Sequence, residues 1–367
     1  MSRALRLAQR STALAHPNPL VGAVLVKNDR VVGEGFHTYD GRRHAEIIAL
    51  ENAGQKARGA TLYVNLEPCC HTGRTGPCTD SIIAAGVKRV VAAMDDPNPA
   101  VAGRGLRQLR RAGVKVEVGL RRRDARYLNE AFACWIRTGK PLVTLKSALT
   151  LDGQIASPHG TARWITSPAS REEVQRLRHA SDAILTGIGT VLADDPRLTD
   201  RTGLPRRRRL LRVVLDSRLR LPLRSTLVKS AENDVLVFTI QAEDSHKGRK
   251  LRRAGIEVAR VHARRGHVNL DEVIHELGRR QILSVLLEAG SKLNGGALEA
   301  GIVDKIILFY APKILGSVSV PLASLRAQSL EAAPLLRNQR LLRIGPDFAV
   351  EGYLRDVYGD RRIRRKN

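Results

Sequence analysis

The chain has 367 residues, 43% of them hydrophobic, so it is long enough to form two domains with substantial cores. Aromatic residues make up 4% of the sequence, which argues against the stacking platforms that bind single-stranded nucleic acid. The formal net charge of +26 is distributed over both halves of the chain. It therefore indicates either a compositional bias or an anionic partner, a phosphorylated metabolite or a nucleic acid, without marking one binding module.

Three of the four cysteines, Cys69, Cys70 and Cys78, lie close together in the sequence. This clustering is typical of a metal site in a reducing compartment and not of a disulfide framework. No apolar run approaches the ~18–20 residues that a membrane span needs. The N-terminal helical pattern runs directly into a turn at 16–19, which leaves no apolar signal core. We therefore expect a cytoplasmic protein that does not bind membranes.

The first third of the chain alternates predicted strands and helices. Two strands, 21–26 and 31–33, flank an Asn28-Asp29 turn that is typical of hairpins. Gly86 and Gly113 are the predicted stop signals of two helices. The further predictions are helices at 44–53, 78–85, 106–112 and 124–137 and strands at 61–66, 89–93 and 114–118. This alternation predicts a layered α/β fold.

A second run of alternating elements begins after a turn at 138–141. Helices are predicted at 167–179 and 271–279, and strands at 141–145, 183–186, 211–215, 235–238, 256–261, 283–287 and 305–310. The last forty residues carry weak patterns, and no element is predicted there. The sequence therefore predicts two α/β domains, 1–139 and 142–367.

His44, Cys69 and Cys78 form the strongest chemical signal in the sequence. One imidazole and two thiolates leave the fourth tetrahedral position of a zinc ion open for water, as in catalytic sites. Zinc lowers the pKa of such a water to about 7. Glu46, two residues after His44, can carry protons without binding the metal. His-x-Glu followed by Pro-Cys is the signature of zinc-dependent nucleobase deaminases.

The loop between the two predicted cysteine ligands indicates which kind of zinc-dependent deaminase the sequence encodes. Helices predicted to begin at these segments would stabilise the thiolates of Cys69 and Cys78. Eight residues separate the two, whereas deaminases of nucleosides or nucleic acids typically have Cys-x-x-Cys. Cys70 points away from the metal if the loop is extended, so we predict that it is not a ligand. His71 and Arg74 lie in the loop and are suited to holding a phosphate or a polar ring substituent.

At this point the sequence resembles a known family, the bifunctional deaminase–reductases of riboflavin biosynthesis. The first half carries His-Pro-Asn-Pro-Leu-Val-Gly at 16–22, His-Ala-Glu at 44–46, Glu-Pro-Cys-Cys within 67–78 and Asp-Pro-Asn-Pro at 96–99. The second half carries Leu-Asp-Gly at 151–153, Trp-Ile-Thr at 164–166, the segment 190–196, Glu-Ala-Gly at 288–290 and Ala-Pro-Lys-Ile-Leu-Gly at 311–316. The resemblance covers residues 2–320 and becomes fainter toward 355.

The resemblance implies two consecutive reactions in two domains. A cytidine-deaminase-like domain with one zinc ion would deaminate 2,5-diamino-6-(5-phosphoribosylamino)pyrimidin-4-one. A dihydrofolate-reductase-like domain would then use NADPH to reduce the ribosyl chain of the product to ribityl. The implied partner is this phosphorylated pyrimidine, with no nucleic acid and no membrane. The family also implies a homodimer or higher homo-oligomer that assembles through the reductase domain.

The resemblance assigns roles by position. In the deaminase half, zinc ligation falls to His44, Cys69 and Cys78, the proton shuttle to Glu46, and substrate contact to Asn18, His37, His71 and Arg74. In the reductase half, the substrate contacts are Lys146, Thr166, Arg178, Leu198 and Arg201. The NADPH contacts are Trp164, Thr190, Asp194, Ser217, Glu288, Gly290, Ser291, Lys292, Leu293, Asn294, Gly295 and Gly296.

The segment 290–296 follows a predicted strand and opens a predicted helix, where exposed backbone amides can hold a pyrophosphate. It lacks the Gly-x-Gly-x-x-Gly fingerprint, so a two-lobed Rossmann domain is not indicated. Four residues depart from the family pattern: Arg43, Leu149, Gln154 and Ala162. Ala162 stands where a substrate-holding Ser is common, so we expect weaker substrate binding by the reductase half, which Ala162→Ser should restore.

Two other functions stay open at this stage. One is a nucleic-acid (tRNA) deaminase whose basic charge serves RNA or DNA binding; the spacing of Cys69 and Cys78 and the low aromatic content speak against it. The other is a zinc protein that acts as an interaction module. Glu46 beside an open metal position speaks against the second.

Overall fold

A computed structural model describes residues 1–72, 76–157, 164–316, 318–325, 331 and 333–359. The chain divides into two compact units. Unit 1 comprises Met1–Thr138 and Pro205–Arg208, and unit 2 comprises Gly139–Leu204 and Arg209–Asn367. The first division falls at the turn that marks the predicted boundary, but no pattern in the sequence indicates that Pro205–Arg208 joins unit 1. Among the described residues, no helix combines the length and apolarity required to cross a membrane.

Unit 1 is built on a five-stranded sheet with the order β2-β1-β3-β4-β5. β1 is antiparallel to β2 and β3, whereas β3, β4 and β5 are parallel. The strands are β1 (Gly22–Lys27), β2 (Arg30–Phe36), β3 (Thr61–Val64), β4 (Arg89–Ala92) and β5 (Lys115–Val118). The helices are α1 (Ser2–Gln9), α2 (Ala45–Ala53), α3 (Cys78–Ala84), α4 (Arg104–Arg111), α5 (Arg122–Leu128) and α6 (Glu130–Thr138), with a 3-10 helix at Gly54–Ala57.

The predicted hairpin turn forms the connection between β1 and β2. Asn28 and Asp29 both have positive φ, 48° and 57°, as a two-residue turn between twisted strands requires. On β2, Gly33 and Gly35 allow helix α2 to pack unusually close. A Cβ at Gly33 would lie 2.1 Å from the carbonyl oxygen of Ala49. This close packing fixes α2, and with it His44 at its N-cap, against the sheet.

The helix predicted at 124–137 is instead two helices that meet at Asn129. The buried side chain of Asn129 accepts a hydrogen bond from the Leu20 backbone nitrogen and donates one to the Leu20 carbonyl oxygen. Its backbone leaves helical geometry at φ −108° and ψ 19°. The sequence pattern missed this break because it depends on a partner 109 residues away.

Unit 2 is built on a nine-stranded sheet with the order β11-β10-β9-β8-β14-β6-β15-β18-β17, in which only β18 and β17 run antiparallel to their neighbours. Its strands are β6 (Leu142–Thr150), β8 (Ala183–Gly187), β9 (Leu211–Leu215), β10 (Val235–Thr239), β11 (Glu257–Arg260), β14 (Ser284–Leu287), β15 (Lys305–Ala311), β17 (Arg337–Ile344) and β18 (Asp347–Tyr353). Two small sheets pair β7 (Gln154–Ala156) with β16 (Val320–Pro321) and β12 (Ala263–Arg264) with β13 (His267–Val268).

The helices of unit 2 are α7 (Pro168–Ala180), α8 (Ile188–Asp194), α9 (Thr226–Lys229), α10 (His246–Arg253), α11 (Leu270–Arg279) and α12 (Ser291–Glu299). Two large apolar clusters form the core, one containing Val143 and Leu287 and the other Ile184 and Val237. The parallel strands place their carboxyl ends at one edge of the sheet, where ligands bind in open α/β folds. Both units confirm the predicted α/β class.

Candidate active sites

His44, Cys69 and Cys78 converge in unit 1, and their ligand atoms all lie within 4.8 Å of one another. His44 is the N-cap of α2, Cys69 follows β3, and Cys78 is the first residue of α3. The His44 Nδ1 atom lies 3.1 Å from the Cys78 Sγ and 3.4 Å from the Cys69 Sγ. Tetrahedral zinc, with bonds of about 2.0 Å to nitrogen and 2.3 Å to sulfur, would separate such atoms by about 3.5–3.8 Å. The donor set therefore fits a zinc ion with one position left for water.

The Cys69 thiolate is favoured by its surroundings. Hydrogen bonding from the Cys78 thiol, opposed in part by burial, lowers the pKa of Cys69 to about 4. The Cys78 backbone nitrogen also donates to the Cys69 Sγ, at 3.3 Å. Cys69 thus benefits from the start of α3 without belonging to a helix. Cys70 is not part of the ligand cluster, and burial raises the pKa of its thiol.

Glu46 lies in the first turn of α2, and 3% of its surface is exposed. Burial, followed by the charge of Cys69, raises the pKa of Glu46 to about 7. A carboxyl group with such a pKa exists in both protonation states near neutral pH, which is the property that a proton carrier needs. A zinc ion beside it would oppose this rise, because a positive charge favours the carboxylate.

Asn18 and His37 extend the site. The Asn18 Nδ2 and His37 Nε2 atoms are 2.8 Å apart, and the ring of His37 packs edge-on against that of His44, with 5.4 Å between centroids. The other ring nitrogen of His37 lies 2.9 Å from the Arg43 carbonyl oxygen. The structure therefore joins two predicted substrate contacts to the predicted metal ligand His44. His71 is exposed, and Arg74 lies outside the described residues.

Glu67 belongs to the same sequence motif but has a different role, which the sequence did not indicate. Its buried carboxylate accepts hydrogen bonds from the backbone nitrogens of Asp96, Gly103 and Leu106, at 3.0, 2.8 and 3.2 Å. It thereby connects the end of β3 to the loop after β4 and to the start of α4. These hydrogen bonds fix the backbone at Glu67 and so help to position Cys69, two residues later.

In unit 2, Glu288 lies just beyond the end of β14 and binds two cations. Arg178 donates two hydrogen bonds to its carboxylate, at 2.8 and 3.0 Å, and the Lys146 Nζ lies 3.3 Å from it. Burial alone would raise the pKa of Glu288, but the charges of Lys146 and Arg178 outweigh it and lower the pKa to about 2. The three side chains, assigned to two different ligands by the resemblance, thus form one ionised cluster with a net charge of +1.

The other predicted reductase residues occupy several loops. Ser217 follows β9 and accepts a hydrogen bond from the Val268 backbone nitrogen. Leu198 has its side chain in the core, so only its backbone can contact a ligand. Thr190 and Asp194 lie on α8, and Thr166 is buried just before α7. The Arg171 guanidinium lies 4.9 Å from the centroid of the Trp164 ring. Arg201 is exposed, and its backbone nitrogen donates a hydrogen bond to the Gln175 side chain.

The predicted pyrophosphate segment 290–296 forms the start of α12, with Gly290 as its N-cap. Three of its residues face inward: Ser291 hydrogen-bonds Ser324, Asn294 donates to the Leu322 carbonyl oxygen, and a Cβ at Gly295 would lie 2.2 Å from the Ser324 carbonyl oxygen. These contacts and the close backbone approach at Gly295 therefore hold the helix in place. The backbone at Gly290 and the exposed Lys292 are left for a ligand.

Comparison with known proteins decides the family. Residues 1–94 match the cytidine and deoxycytidylate deaminase zinc-binding region, and residues 141–350 match the RibD C-terminal domain. The riboflavin biosynthesis protein RibD of Escherichia coli is 45% identical over 95% of this chain and 97% of its own length. That of Aquifex aeolicus is 41% identical, over 95% and 96%.

The chain belongs to the RibD family of riboflavin biosynthesis proteins. The solved structure of Acinetobacter baumannii RibD superposes with a TM-score of 0.84 at 37% identity, covering 96% of this chain and 97% of that one. A Thermotoga maritima diaminohydroxyphosphoribosylaminopyrimidine deaminase/5-amino-6-(5-phosphoribosylamino)uracil reductase superposes with a TM-score of 0.85, also at 37% identity and with the same coverage. The chain is therefore a bifunctional deaminase and reductase, and a tRNA deaminase is not favoured.

Two RibD motifs of unit 2 meet in the structure. The carboxylate of Asp152, in the Leu-Asp-Gly motif, accepts hydrogen bonds from the backbone nitrogens of Leu315 and Gly316, in the motif at 311–316. Thr150 donates a further hydrogen bond to the same carboxylate, at 2.6 Å. The sequence marked both motifs but not their contact.

The departures from the RibD pattern are mostly structural. Leu149 is fully buried in the apolar core, where its side chain contributes to packing. Gln154 donates to the Asp152 carbonyl oxygen. Arg43 pairs with Glu51 through its side chain. Ala162 lies outside the described residues.

Proposed function

We propose that unit 1 performs the deamination and unit 2 the reduction. The activities then follow the predicted domains 1–139 and 142–367, except that Pro205–Arg208 belongs to unit 1. The observation that carries the proposal is the convergence of His44, Cys69 and Cys78 beside the buried Glu46. Three ligands and a neighbouring carboxyl group are what hydrolytic deamination needs: a metal with an open position and a proton carrier.

In unit 1, His44, Cys69 and Cys78 would hold zinc, which supplies Lewis-acid activation of water. Glu46 accepts a proton from the attacking water and returns protons to the ring nitrogen and to the departing amine, so that ammonia leaves and a carbonyl group remains. Asn18 and His37, joined to each other, orient the pyrimidine ring next to these groups. His71 and Arg74 are proposed to bind polar or phosphate groups of the substrate.

In unit 2, NADPH would supply the hydride when bound. Glu288 holds Lys146 and Arg178 as cations at the carboxyl end of β14, where their excess positive charge favours a phosphorylated substrate. The start of α12 at Gly290 presents backbone amides suited to the cofactor pyrophosphate. We propose that the segment 290–296 contacts NADPH through the Gly290 backbone and Lys292, and that Leu198 contacts the substrate through its backbone. The other predicted residues of this half keep their proposed contacts with substrate or NADPH.

Mass spectrometry of the reaction products tests both assignments. Purified protein receives the diaminopyrimidinone ribosyl phosphate with and without NADPH. We expect the amine-to-oxygen change in both reactions and hydrogen addition only with NADPH. Deamination without any reduction would contradict the assignment to unit 2, and absence of both in zinc-loaded protein would contradict the substrate.

We further propose that the protein acts in the cytoplasm as a homodimer or higher homo-oligomer assembled through unit 2. Exposed apolar side chains on unit 2 support this proposal, among them Ile314, Val318 and Leu341. Light scattering, measured as the protein elutes from a size-exclusion column, would give its mass in solution. A monomer at all concentrations would contradict the assembly.

A further inference from the structure

Arg207 makes several contacts within unit 1, although it lies 69 residues beyond Thr138 in the sequence. Its backbone nitrogen donates to the Ala13 carbonyl oxygen at 2.9 Å. Its guanidinium donates to the His16 carbonyl oxygen and to the Asp40 carboxylate, both at 3.1 Å. One side chain therefore binds two separate segments, one around residue 16 and one around residue 40.

The guanidinium also stacks on Tyr39, with 3.6 Å between its carbon and the ring centroid. The Arg207 side chain is 16% exposed, and its hydrogen bond to the His16 carbonyl oxygen is partly buried, whereas Asp40 is 75% exposed. A planar guanidinium can stack and donate in two directions at once, whereas an ammonium group provides a point charge. The site is therefore specific for arginine.

The two segments that Arg207 binds are those that carry Asn18 and His37. His16 precedes Asn18 by two residues, and Tyr39 follows His37 by two. Inside the unit, the Asn18–His37 hydrogen bond joins the same segments, and the ring of His37 contacts that of His44. The segments are thus joined at two points, one at the site and one at Arg207.

We propose that Arg207 is a positioning residue for the deaminase site: it fixes the distance between Asn18 and His37 and so sets the binding of the pyrimidine. This inference rests on the proposed function of unit 1. Arg207 contacts neither the metal ligands nor Glu46 in any described interaction, so its effect falls on substrate binding and not on the chemical step.

Steady-state deamination without NADPH tests the proposal on the full chain with Arg207→Ala, Arg207→Lys and the matched control Arg208→Ala. Arg208 is exposed and adjacent. Because Arg207→Ala removes a charge-assisted hydrogen bond to the His16 carbonyl oxygen, we expect it to raise KM about tenfold or more, with kcat and zinc content little changed. Arg207→Lys should restore part of the loss, and Arg208→Ala should resemble the wild type.

A second background separates positioning from general stabilisation. If Arg207 acts through Asn18, Arg207→Ala should raise KM far less in Asn18→Ala protein than in the wild type. Additive effects, a fall in kcat with loss of zinc, or an unchanged KM would each overturn the proposal. Wild-type protein that shows no deamination would instead refute the proposed function of unit 1, so the two failures are distinguishable.

Discussion

Arg178 donates two parallel hydrogen bonds to the Glu288 carboxylate, 2.8 Å from Nε to Oε1 and 3.0 Å from Nη2 to Oε2. Both side chains are largely buried, at 12% and 13% exposure. Fork-to-fork pairing of this kind fixes orientation as well as charge. The carboxylate at the end of β14 is therefore held in one direction, and Lys146 is held with it.

Arg178→Ala should impair reduction while deamination persists. The substitution leaves Glu288 with Lys146 alone, and loss of one partner of a buried pair costs about 3–5 kcal/mol of stability at most. We expect kcat/KM for reduction of supplied deaminated substrate to fall at least about tenfold. Arg176→Ala is the matched control, because Arg176 lies on the same helix and pairs with exposed Glu172 and half-buried Glu173. Equal effects of the two variants would contradict the role of the pair.

Glu288→Gln should reveal a pH-dependent contribution to stability. The folded-state pKa of Glu288 is lowered from 4.5 to about 2, so its stabilising effect is present above pH 4.5 and lost as pH falls toward 2. The shift corresponds to about 3 kcal/mol. The difference in unfolding free energy between wild type and Glu288→Gln, measured by urea denaturation, should shrink over this range. A constant difference from pH 6 to 3 would refute the assignment.

Glu46→Gln should abolish deamination and leave zinc binding intact. Glutamine keeps the size of the side chain but cannot accept a proton, and general acid–base catalysis contributes about 10²–10⁴-fold to a rate. Product mass spectrometry and zinc analysis by atomic absorption would check both parts. Glu51→Gln, on the exposed face of the same helix, should behave like the wild type. Deamination by the Glu46→Gln protein would contradict the role of Glu46 as the proton carrier.

Substitution of the cysteines should separate ligands from their neighbour. Cys69→Ala and Cys78→Ala each remove one of three ligands, so the purified proteins should lose most of their zinc and all detectable deamination. Cys70→Ala should retain both, because Cys70 is outside the ligand cluster. Zinc loss in Cys70→Ala alone would show that the ligand set is wrong.

Glu67→Ala should destabilise unit 1 through the backbone. It leaves three backbone amides without this acceptor, one buried and two partly buried, at about 1–3 kcal/mol for each amide that stays shielded from water. We expect the unfolding free energy to fall by at least about 3 kcal/mol, and Glu67→Gln, which keeps one acceptor oxygen, to lose less. Urea denaturation of the zinc-loaded proteins measures this directly. An unchanged midpoint in Glu67→Ala would contradict the anchoring role.

The regular elements and the metal cluster were predictable because both follow from local sequence. Hydrophobic alternation gave most strands of both sheets, and the spacing around His44, Cys69 and Cys78 gave the residues that converge. Short helices such as α8 and α9 escaped prediction, as did β17 and β18, because their residues carry weak periodicity and owe their conformation to pairing across the sheet.

The supporting residues could not be predicted, since their roles depend on contacts distant in sequence. Asn129 breaks a helix by binding Leu20, and Glu67 binds amides about 30 residues or more further on. Leu198 lies two residues beyond the motif segment 190–196 and was predicted to contact the substrate, yet its side chain packs in the core. Such roles cannot be recognised in the sequence, because they arise only when folding brings the distant contact residue close.

Because Pro205–Arg208 belongs to unit 1, the complete deaminase half cannot be obtained by simply truncating the chain after Thr138. A truncated protein that ends at Thr138 would contain every predicted zinc ligand and the proton carrier, yet it would lack the arginine that joins the segments around His16 and Asp40. The linear boundary between the two halves is therefore not the boundary of the physical unit. An excised deaminase half should be built with that short peptide grafted back.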